Sequence, residues 1–462
     1  MNTEYYDDIV IGGGKAGKTL APALVMAGRK TALVERSSTM IGGGCINIAC
    51  IPTKTMVASA EVAHTVRNSA VYGVKTNVPT VNLAEVIQRK RSVVLSAREM
   101  NLHNLAAALG KNLIIGTARF VDSKTIEVVT PEGITRILSA ERLFINTGTR
   151  PLIPPLPGLK ETGFLTSESI MELEQLPEHL IILGSGYIGL EFAQMFRRFG
   201  SRVTVIGQRE QILSSQDPDI AIAVQTLLEQ EGVEFLLKAT VLGAERIGNA
   251  TKLQIRSADR AIHLQGSHLL VAVGRAPTTD SLNLAAAGVV KDASGFIPVN
   301  DHLETNIPGI WALGDINRGP QYTHISLDDY RIVKSNLIDG GKRSSRDRLV
   351  PSCLFIDPEL AQVGLTEAAA QQQGYAIRVA KLEAAAIPRA RTSGRTEGLL
   401  KAIVDSETGH ILGCSLLCHA AGEMISTVQM VMQAQMSYTV LRDGVLTHPT
   451  MTEGLNLLFS KL

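Results

Sequence analysis

A strand, a glycine-rich turn, a helix and a second strand follow one another twice in this chain, and that repetition narrows the folds open to it more than any other feature. Residues 7–11 (DDIVI) read as a short buried strand running into Gly12-Gly13-Gly14-Lys15-Ala16-Gly17. An apolar helix over 18–27 and a strand over 31–34 come next, and that strand ends in Glu35. This is a βαβ unit with GxGxxG at its first turn and an acid about 20 residues later, the pattern of a dinucleotide site. Gly12 permits the tight turn, Gly14 lets a pyrophosphate approach the backbone, and Gly17 lets helix and strand pack closely. The helix N-terminus offers N–H donors and partial positive charge to phosphate, and Glu35 can accept from a ribose hydroxyl. Residues 179–183 (HLIIL) open the second unit, followed by Gly184-Ser185-Gly186-Tyr187-Ile188-Gly189, a helix over 190–199 and a strand over 202–206. The second fingerprint is as complete as the first. The chain is therefore predicted to hold two dinucleotides rather than one working site and a silenced copy.

Between and after these units the strand-into-turn theme recurs. Residues 144–151 (FINTGTRP) carry Thr147 and Gly148 at a glycine turn, and 151–158 (PLIPPLPG) read as a proline-rich linker. Residues 269–277 (LLVAVGRAP), with Gly274, and 310–315 (IWALGD), ending at Asp315, are further buried strands that run into turns. Residues 340–348 form a charged boundary, and the remainder mixes short strands and helices in a third unit.

Just after the first βαβ lies GGGCINIACIPTK, with Cys45 and Cys50 five residues apart. On a regular helix that rises about 1.5 Å per residue their Cα atoms would stand about 8 Å apart or more, beyond the reach of about 7 Å that a disulfide allows. If they pair, the first helical turn must be distorted, and a strained bond suits labile, catalytic chemistry better than a structural staple. The bland reading is two buried, inert cysteines. A zinc site fits less well, because no second Cys or His pair with ligand spacing lies nearby.

The rest of the composition mainly excludes. A chain of 462 residues with 45% apolar residues has material for about three domains. A net charge of +1 gives no reason to expect nucleic acid or an anionic membrane as partner. Five cysteines in this length do not make a disulfide scaffold. The N-terminal residues lack the pattern of a signal peptide, and no run approaches about 18 uninterrupted apolar residues. The expectation is a soluble, cytoplasmic protein.

With these motifs in place the chain resembles, over essentially its full length, the flavoprotein disulfide reductases, the family of glutathione reductase, dihydrolipoamide dehydrogenase and mercuric reductase. The resemblance rests on the CxxxxC run followed by PTK, the two fingerprints, ALGD, and HPTMTEGL near the end. It implies an α/β fold with two Rossmann-like three-layer domains and a C-terminal α+β dimerisation domain. FAD-binding segments would cover 1–150 and 271–342, an NAD(P)-binding domain 151–270, and the interface domain 343–462. FAD would bind at the first fingerprint and NAD(P)H at the second. Cys50 would be the flavin-proximal thiolate and Cys45 the thiol that attacks substrate. Asp315 would hold the ribityl chain, Lys54 and Glu191 would pair near the flavin, and Tyr187 would cap the nicotinamide pocket. His448 and Glu453 in HPTMTEGL would form a proton-transfer pair that reaches the cysteines of the other subunit, which implies a homodimer. Outside the family, a surface lysine, a solvated acid, a packed tyrosine and a turn histidine are the ordinary explanations for these residues.

Residues 45–55 (CINIACIPTKT), 326–333 (SLDDYRIV) and 385–391 (AAIPRAR) resemble a narrower group, the bacterial reactive-chlorine-resistance flavoproteins that reduce copper(II). That implies NAD(P)H-dependent reduction of a metal ion or small oxidant in an oxidative-stress response. The tail LNLLFSKL lacks the C-terminal cysteine pair through which mercuric reductases and large thioredoxin reductases relay electrons. Gly44 and Ala49 depart from the threonine and glycine that the family more often carries. After the second βαβ, Gly207 replaces the acid expected for an NAD ribose and Arg209 follows, which favours NADPH, since an arginine can bind a 2′-phosphate that an acid would repel. Two other readings remain open: a dihydrolipoamide dehydrogenase or other low-molecular-weight disulfide reductase, and a flavin-bound redox sensor without turnover. Cys414 and Cys418 fall on one face of a strand and, like Met424, Met430, Met432 and Met436, are expected in core or dimer packing rather than as metal ligands, with a contact between the cysteines, His419 and a metal as the lesser alternative.

Overall fold

The computed structural model describes residues 2–257 and 260–462, and the chain divides into two compact units.

The first unit comprises Met1–Thr55, Ile87–Leu152 and Gly274–Arg348. Its centre is a sheet in which Leu113–Ile115, Thr31–Glu35, Thr3–Ile11 and Thr135–Ile145 lie side by side in that order, all parallel. Thr125–Val129 and Thr117–Phe120 extend it in antiparallel fashion, and Ile310–Ala312 pairs in parallel with the end of Thr135–Ile145. The strand residues are apolar on both faces because both faces are covered. Ile9, Ile11, Val34 and Ile145 enter one core cluster. Val10, Leu33 and Phe144 enter another, against Leu20 and Leu24 of the helix Lys15–Met26 and Ile332 and Val333 of the helix Thr323–Leu337. The alternation of successive residues between two clusters is the period of two of a strand. Asp8, in the middle of the sheet, is fully buried and is paired with Arg29 and with Arg142, the latter at 2.8 Å.

The second unit comprises Met56–Val86, Ile153–Val273 and Leu349–Leu462. It holds a parallel sheet ordered Val233–Leu236, Arg202–Ile206, His179–Leu183, His268–Val271, with the helices Tyr187–Phe199 and Pro218–Gln230 in its crossovers. A three-stranded antiparallel sheet, Ala239–Ile247, Ala250–Ser257 and Arg260–Gly266, lies in the same span. The C-terminal part is a five-stranded antiparallel sheet ordered Ser352–Leu354, Glu359–Gly364, Ile411–Cys418, Leu399–Asp405, Ile377–Glu383. The helices Ala421–Gln433 and Gly454–Phe459 share its core. Cys414, Cys418 and Met424 are buried in that core and Met432 packs against it. Met430 and Met436 stay exposed in the single chain, and Met436 lies beyond the helix end. No helix among the described residues is long and apolar enough to cross a membrane.

The helices of both βαβ units start three residues earlier than their apolar runs, at Lys15 and Tyr187. Their first turns are built from fingerprint residues that carry no apolar periodicity.

Candidate active site

Both fingerprints make the same close contact. At Gly12, φ is +103°, and a Cβ would lie 2.4 Å from the Asn146 carbonyl oxygen; at Gly17 it would lie 2.1 Å from that of Gly12. In the second unit Gly184, at φ +120°, stands 2.3 Å by the same measure from the Ala272 oxygen, and Gly189 stands 2.1 Å from that of Gly184. Any side chain at these four positions would push helix and strand apart. Gly14 and Gly186 are the N-caps of their helices, and neither helix has a side-chain cap. Gly148 and Gly186 face open space where a side chain would stand.

Around the first turn, Glu35 is buried, its Oε2 accepting from the Gly13 N–H at 2.8 Å and its Oε1 from the Ser37 N–H at 3.3 Å; burial pushes its pKa up. Asp315 sits on the turn Gly314–Asn317 and accepts from the Thr149 hydroxyl at 3.2 Å, and burial raises its pKa too. Thr147 donates to the Thr278 carbonyl at 2.9 Å, and Gly274, at φ +131°, begins the last segment of this unit.

Cys45 lies in the short helix Gly44–Asn47, and Cys50 begins the helix Cys50–Arg67. Ile48 leaves helical geometry between them, at φ −141° and ψ 4°, so the regular helix that would hold the two cysteines apart is interrupted. Asn47 holds the short helix in place. Its amide donates to the carbonyls of Ile41 and Gly43, each at 2.9 Å, and its Oδ1 accepts from Arg98 at 2.7 Å. A Cβ at Gly44 would meet only Ile48, at 3.7 Å, so the missing threonine side chain leaves room rather than a clash.

Both cysteines are free, and each shifts the ionisation of the other. The Cys45 hydrogen bond is the largest influence holding Cys50 down, to about 6; Thr323, whose Oγ1 is 3.5 Å from the Cys50 sulfur, and the charge of Lys54 act in the same direction, against burial. Cys45 is pushed up, by that same hydrogen bond and then by burial. The two directions together favour the thiolate at Cys50 and the thiol at Cys45. A thiolate is the form in which sulfur acts as nucleophile or electron donor. Cys414 and Cys418 are pushed far up by burial, Cys418 to about 12, and stay inert thiols.

In the second unit Tyr187 opens its helix and its hydroxyl accepts from the Gln216 amide at 3.2 Å. Glu191, one turn on, is buried and accepts from the Phe355 N–H at 2.9 Å. Gly207 is buried at the end of its strand, and Arg209 is exposed. His448 Nδ1 pairs with Glu453 Oε2 at 2.8 Å, and the imidazole side chain is 67% exposed in the single chain. With Nδ1 held by the carboxylate, Nε2 is the nitrogen left to exchange protons. His419 Nδ1 lies against the Arg395 guanidinium at 3.1 Å. Among the described residues no group of three or more His, Cys, Asp or Glu side chains is arranged to hold a metal ion.

Three residues that sequence reasoning passed over belong to this constellation. Asn146 is buried, accepts from the Gly17 N–H at 3.0 Å and donates to the Leu313 carbonyl at 2.6 Å, tying the fingerprint to the strand that precedes Asp315. Its signal was an amide at the end of a buried strand. Ser326 accepts from the Ala16 N–H at 3.2 Å. Thr323 faces Cys50 from 273 residues away, a separation that no local pattern reports.

The pyridine nucleotide-disulphide oxidoreductase family matches residues 6–329, and the dimerisation domain of the same family matches residues 350–458. A probable pyridine nucleotide-disulfide oxidoreductase of Escherichia coli, RclA, is 45% identical over 98% of this chain and 99% of its own length. A mercuric reductase of Lysinibacillus sphaericus is 34% identical over 99% of this chain and 82% of its own. The solved Cu(II) complex of the HOCl-induced flavoprotein disulfide reductase RclA from Escherichia coli superposes with a TM-score of 0.91 at 44% identity, covering 100% of this chain and 99% of that one. The duplicated glycine turns, the thiol–thiolate pair and these likenesses lead to one conclusion: the chain belongs to the pyridine nucleotide-disulphide oxidoreductases, enzymes that work with FAD and a pyridine nucleotide.

Proposed function

We propose that this enzyme oxidises NADPH and passes the electrons through FAD and the Cys45–Cys50 pair to copper(II) or a small oxidant, as a cytoplasmic homodimer that serves oxidative-stress defence. One observation carries the reading: Cys45 and Cys50 lie on either side of a helix break in the same unit as the first fingerprint, with Cys50 favoured as the thiolate. The relative named as HOCl-induced, and solved as a Cu(II) complex, supports the choice of acceptor.

The residues fit FAD at the first fingerprint. The helix N-terminus is uncapped, Gly148 leaves a side-chain-sized opening, and two buried carboxylates, Glu35 and Asp315, would accept from ribose and ribityl hydroxyls. FAD, when bound, supplies the two-electron exchange with the nicotinamide. The second fingerprint, open at Gly186, fits the pyridine nucleotide; the bare Gly207 and the exposed Arg209 favour a 2′-phosphate.

The protein's own steps then follow from the thiol pair. Two electrons and one proton convert the Cys45–Cys50 disulfide to a Cys50 thiolate and a Cys45 thiol. Two copper(II) ions each accept one electron, the S–S bond re-forms, and the Cys45 proton leaves. His448, oriented by Glu453, takes or returns that proton for the Cys45–Cys50 pair of the partner subunit. Two observations support the dimer: the match to a dimerisation domain, and apolar side chains of the C-terminal segment, Val445 and Leu457 among them, left exposed in the single chain.

Steady-state NADPH oxidation with copper(II), lipoamide and glutathione disulfide in parallel tests the proposal. The expected result is a kcat/KM for copper(II) at least about tenfold above either disulfide. Preferential turnover of lipoamide would favour a dihydrolipoamide dehydrogenase, which the His448–Glu453 pair also suits. No turnover with any acceptor would favour a sensor.

A further inference from the structure

We propose that Gln216 is a positioning residue that latches Tyr187 against the C-terminal sheet, so that nucleotide entry must break this tether; this rests on the reading of Tyr187 as the residue closing the nicotinamide pocket.

Gln216 is 7% exposed, and its amide nitrogen donates to two oxygens: Gln362 Oε1 at 2.6 Å and the Tyr187 hydroxyl at 3.2 Å. Gln362 lies on the strand Glu359–Gly364, inside the five-stranded sheet. The amide therefore bridges the first residue of the second fingerprint's helix to a strand of the interface domain.

The anchor end of the bridge is built to stay still. The Gln216 N–H donates to the Leu213 carbonyl at 2.8 Å, and its own carbonyl accepts from the Gln211 amide at 3.1 Å. The next residue, Asp217, is buried and accepts from the Glu367 N–H at 3.1 Å. Its carboxylate also pairs at 2.9 Å with Lys401, which is 2% exposed and meets Asp219 at 3.2 Å and Glu367 at 2.7 Å as well. Breaking such a buried cluster is costly, so the segment 216–219 is fixed to the sheet. Tyr187, by contrast, follows Gly186, beside which there is open space. When the two separate, Tyr187 is the side that moves.

The latch is also weak by construction. The Tyr187 bond is the longer of the two, and Gln216 Oε1 is buried with no hydrogen-bond partner among the described residues. A tether of this kind keeps the pocket closed in the free enzyme yet opens for a ligand of modest affinity.

The test is a double-mutant cycle on the FAD-loaded dimer with Gln216→Leu, Tyr187→Phe and the double variant. It reads the Kd of NADP⁺ for the oxidised enzyme, the pre-steady-state rate of flavin reduction by NADPH, and the thermal midpoint. One neutral hydrogen bond removed from the closed state corresponds to a Kd about 2- to 10-fold tighter. Gln216→Leu and Tyr187→Phe should each give that gain, and Gln216→Leu should add nothing once Tyr187 is phenylalanine. Gln216→Met, which fills the same space without an N–H to donate, should reproduce the Gln216→Leu gain. Equal effects of Gln216→Leu in both backgrounds, or an unchanged Kd in the wild-type background, would overturn the latch. A wild-type enzyme that oxidises neither NADPH nor NADH would instead overturn the functional reading beneath it.

Discussion

Replacing Cys45 by alanine isolates the interaction on which the chemistry of the thiol pair depends. In the intact pair Cys50 is held down to about 6, so the thiolate is its favoured form at pH 7. The Cys45 thiol donating to the Cys50 sulfur is the largest cause, ahead of the Thr323 hydroxyl and the Lys54 charge, while burial works the other way. A hydrogen bond to an ionised acceptor contributes about 1.5–3 kcal/mol, and one pKa unit is about 1.4 kcal/mol. Cys45→Ala should therefore raise Cys50 by about one to two units and cut the thiolate at pH 7 to roughly a tenth to a half. The sign follows from the direction of the original shift: a donor that stabilises the anion lowers the pKa, and its removal raises it. The assay is the long-wavelength absorption of a thiolate lying against oxidised FAD, titrated across the neutral range. In the two-electron-reduced wild type this band should fade as pH drops through about 6; in the oxidised Cys45→Ala variant it should fade one to two units higher. A variant that titrates at or below the wild-type value would refute the reasoning, because Thr323 and Lys54 alone would then account for the thiolate.

Other perturbations reach the remaining parts of the account. His448→Ala should slow exchange with disulfide acceptors by about 10² or more while flavin reduction by NADPH stays near its wild-type rate; unchanged rates with every disulfide the wild type accepts would leave His448 a turn residue only. Arg209→Ala should shrink the NADPH-over-NADH ratio of kcat/KM by about tenfold, and an unchanged ratio would remove Arg209 from nucleotide selection. Asn146→Ala strands the buried Gly17 N–H and Leu313 carbonyl, so a loss of about 1–3 kcal/mol or more is expected. It should be read as a lower thermal midpoint and earlier release of FAD, and a midpoint equal to wild type would contradict the role given to that amide.

What could be read in the sequence was local. Glycines at GxGxxG spacing, buried strands that end at them, and two cysteines five residues apart all express their constraint within about thirty residues, which is why both βαβ units and the α/β architecture were legible. The helix starts were missed by three residues because Lys15 and Tyr187 precede the apolar periodicity that marks a helix. The antiparallel sheet of residues 239–266 was not foreseen, since its strands, Ala250–Ser257 among them, are half-exposed and read as neither a buried run nor a helix. Contacts across long separations left no trace at all. Thr323 at Cys50, Ser326 at Ala16 and Lys401 among Asp217, Asp219 and Glu367 become neighbours only when distant segments fold together. Arg98 at Asn47 is a milder case of the same kind.

In the proposed mechanism Cys45 and Cys50, and no other cysteines, form the disulfide that receives the electrons of the nicotinamide. The direct measurement is to treat the oxidised, FAD-loaded enzyme anaerobically with NADPH, quench with an alkylating agent, and locate the labelled thiols by peptide mass spectrometry. Before reduction a Cys45–Cys50 cross-linked peptide is expected, with Cys414, Cys418 and the fifth cysteine, Cys353, present as thiols. One equivalent of NADPH should convert the cross-link into two labelled residues, Cys45 and Cys50, and exposure to copper(II) should restore it. An oxidised enzyme without that cross-link, or new thiols appearing at Cys353, Cys414 or Cys418 instead, would contradict the account.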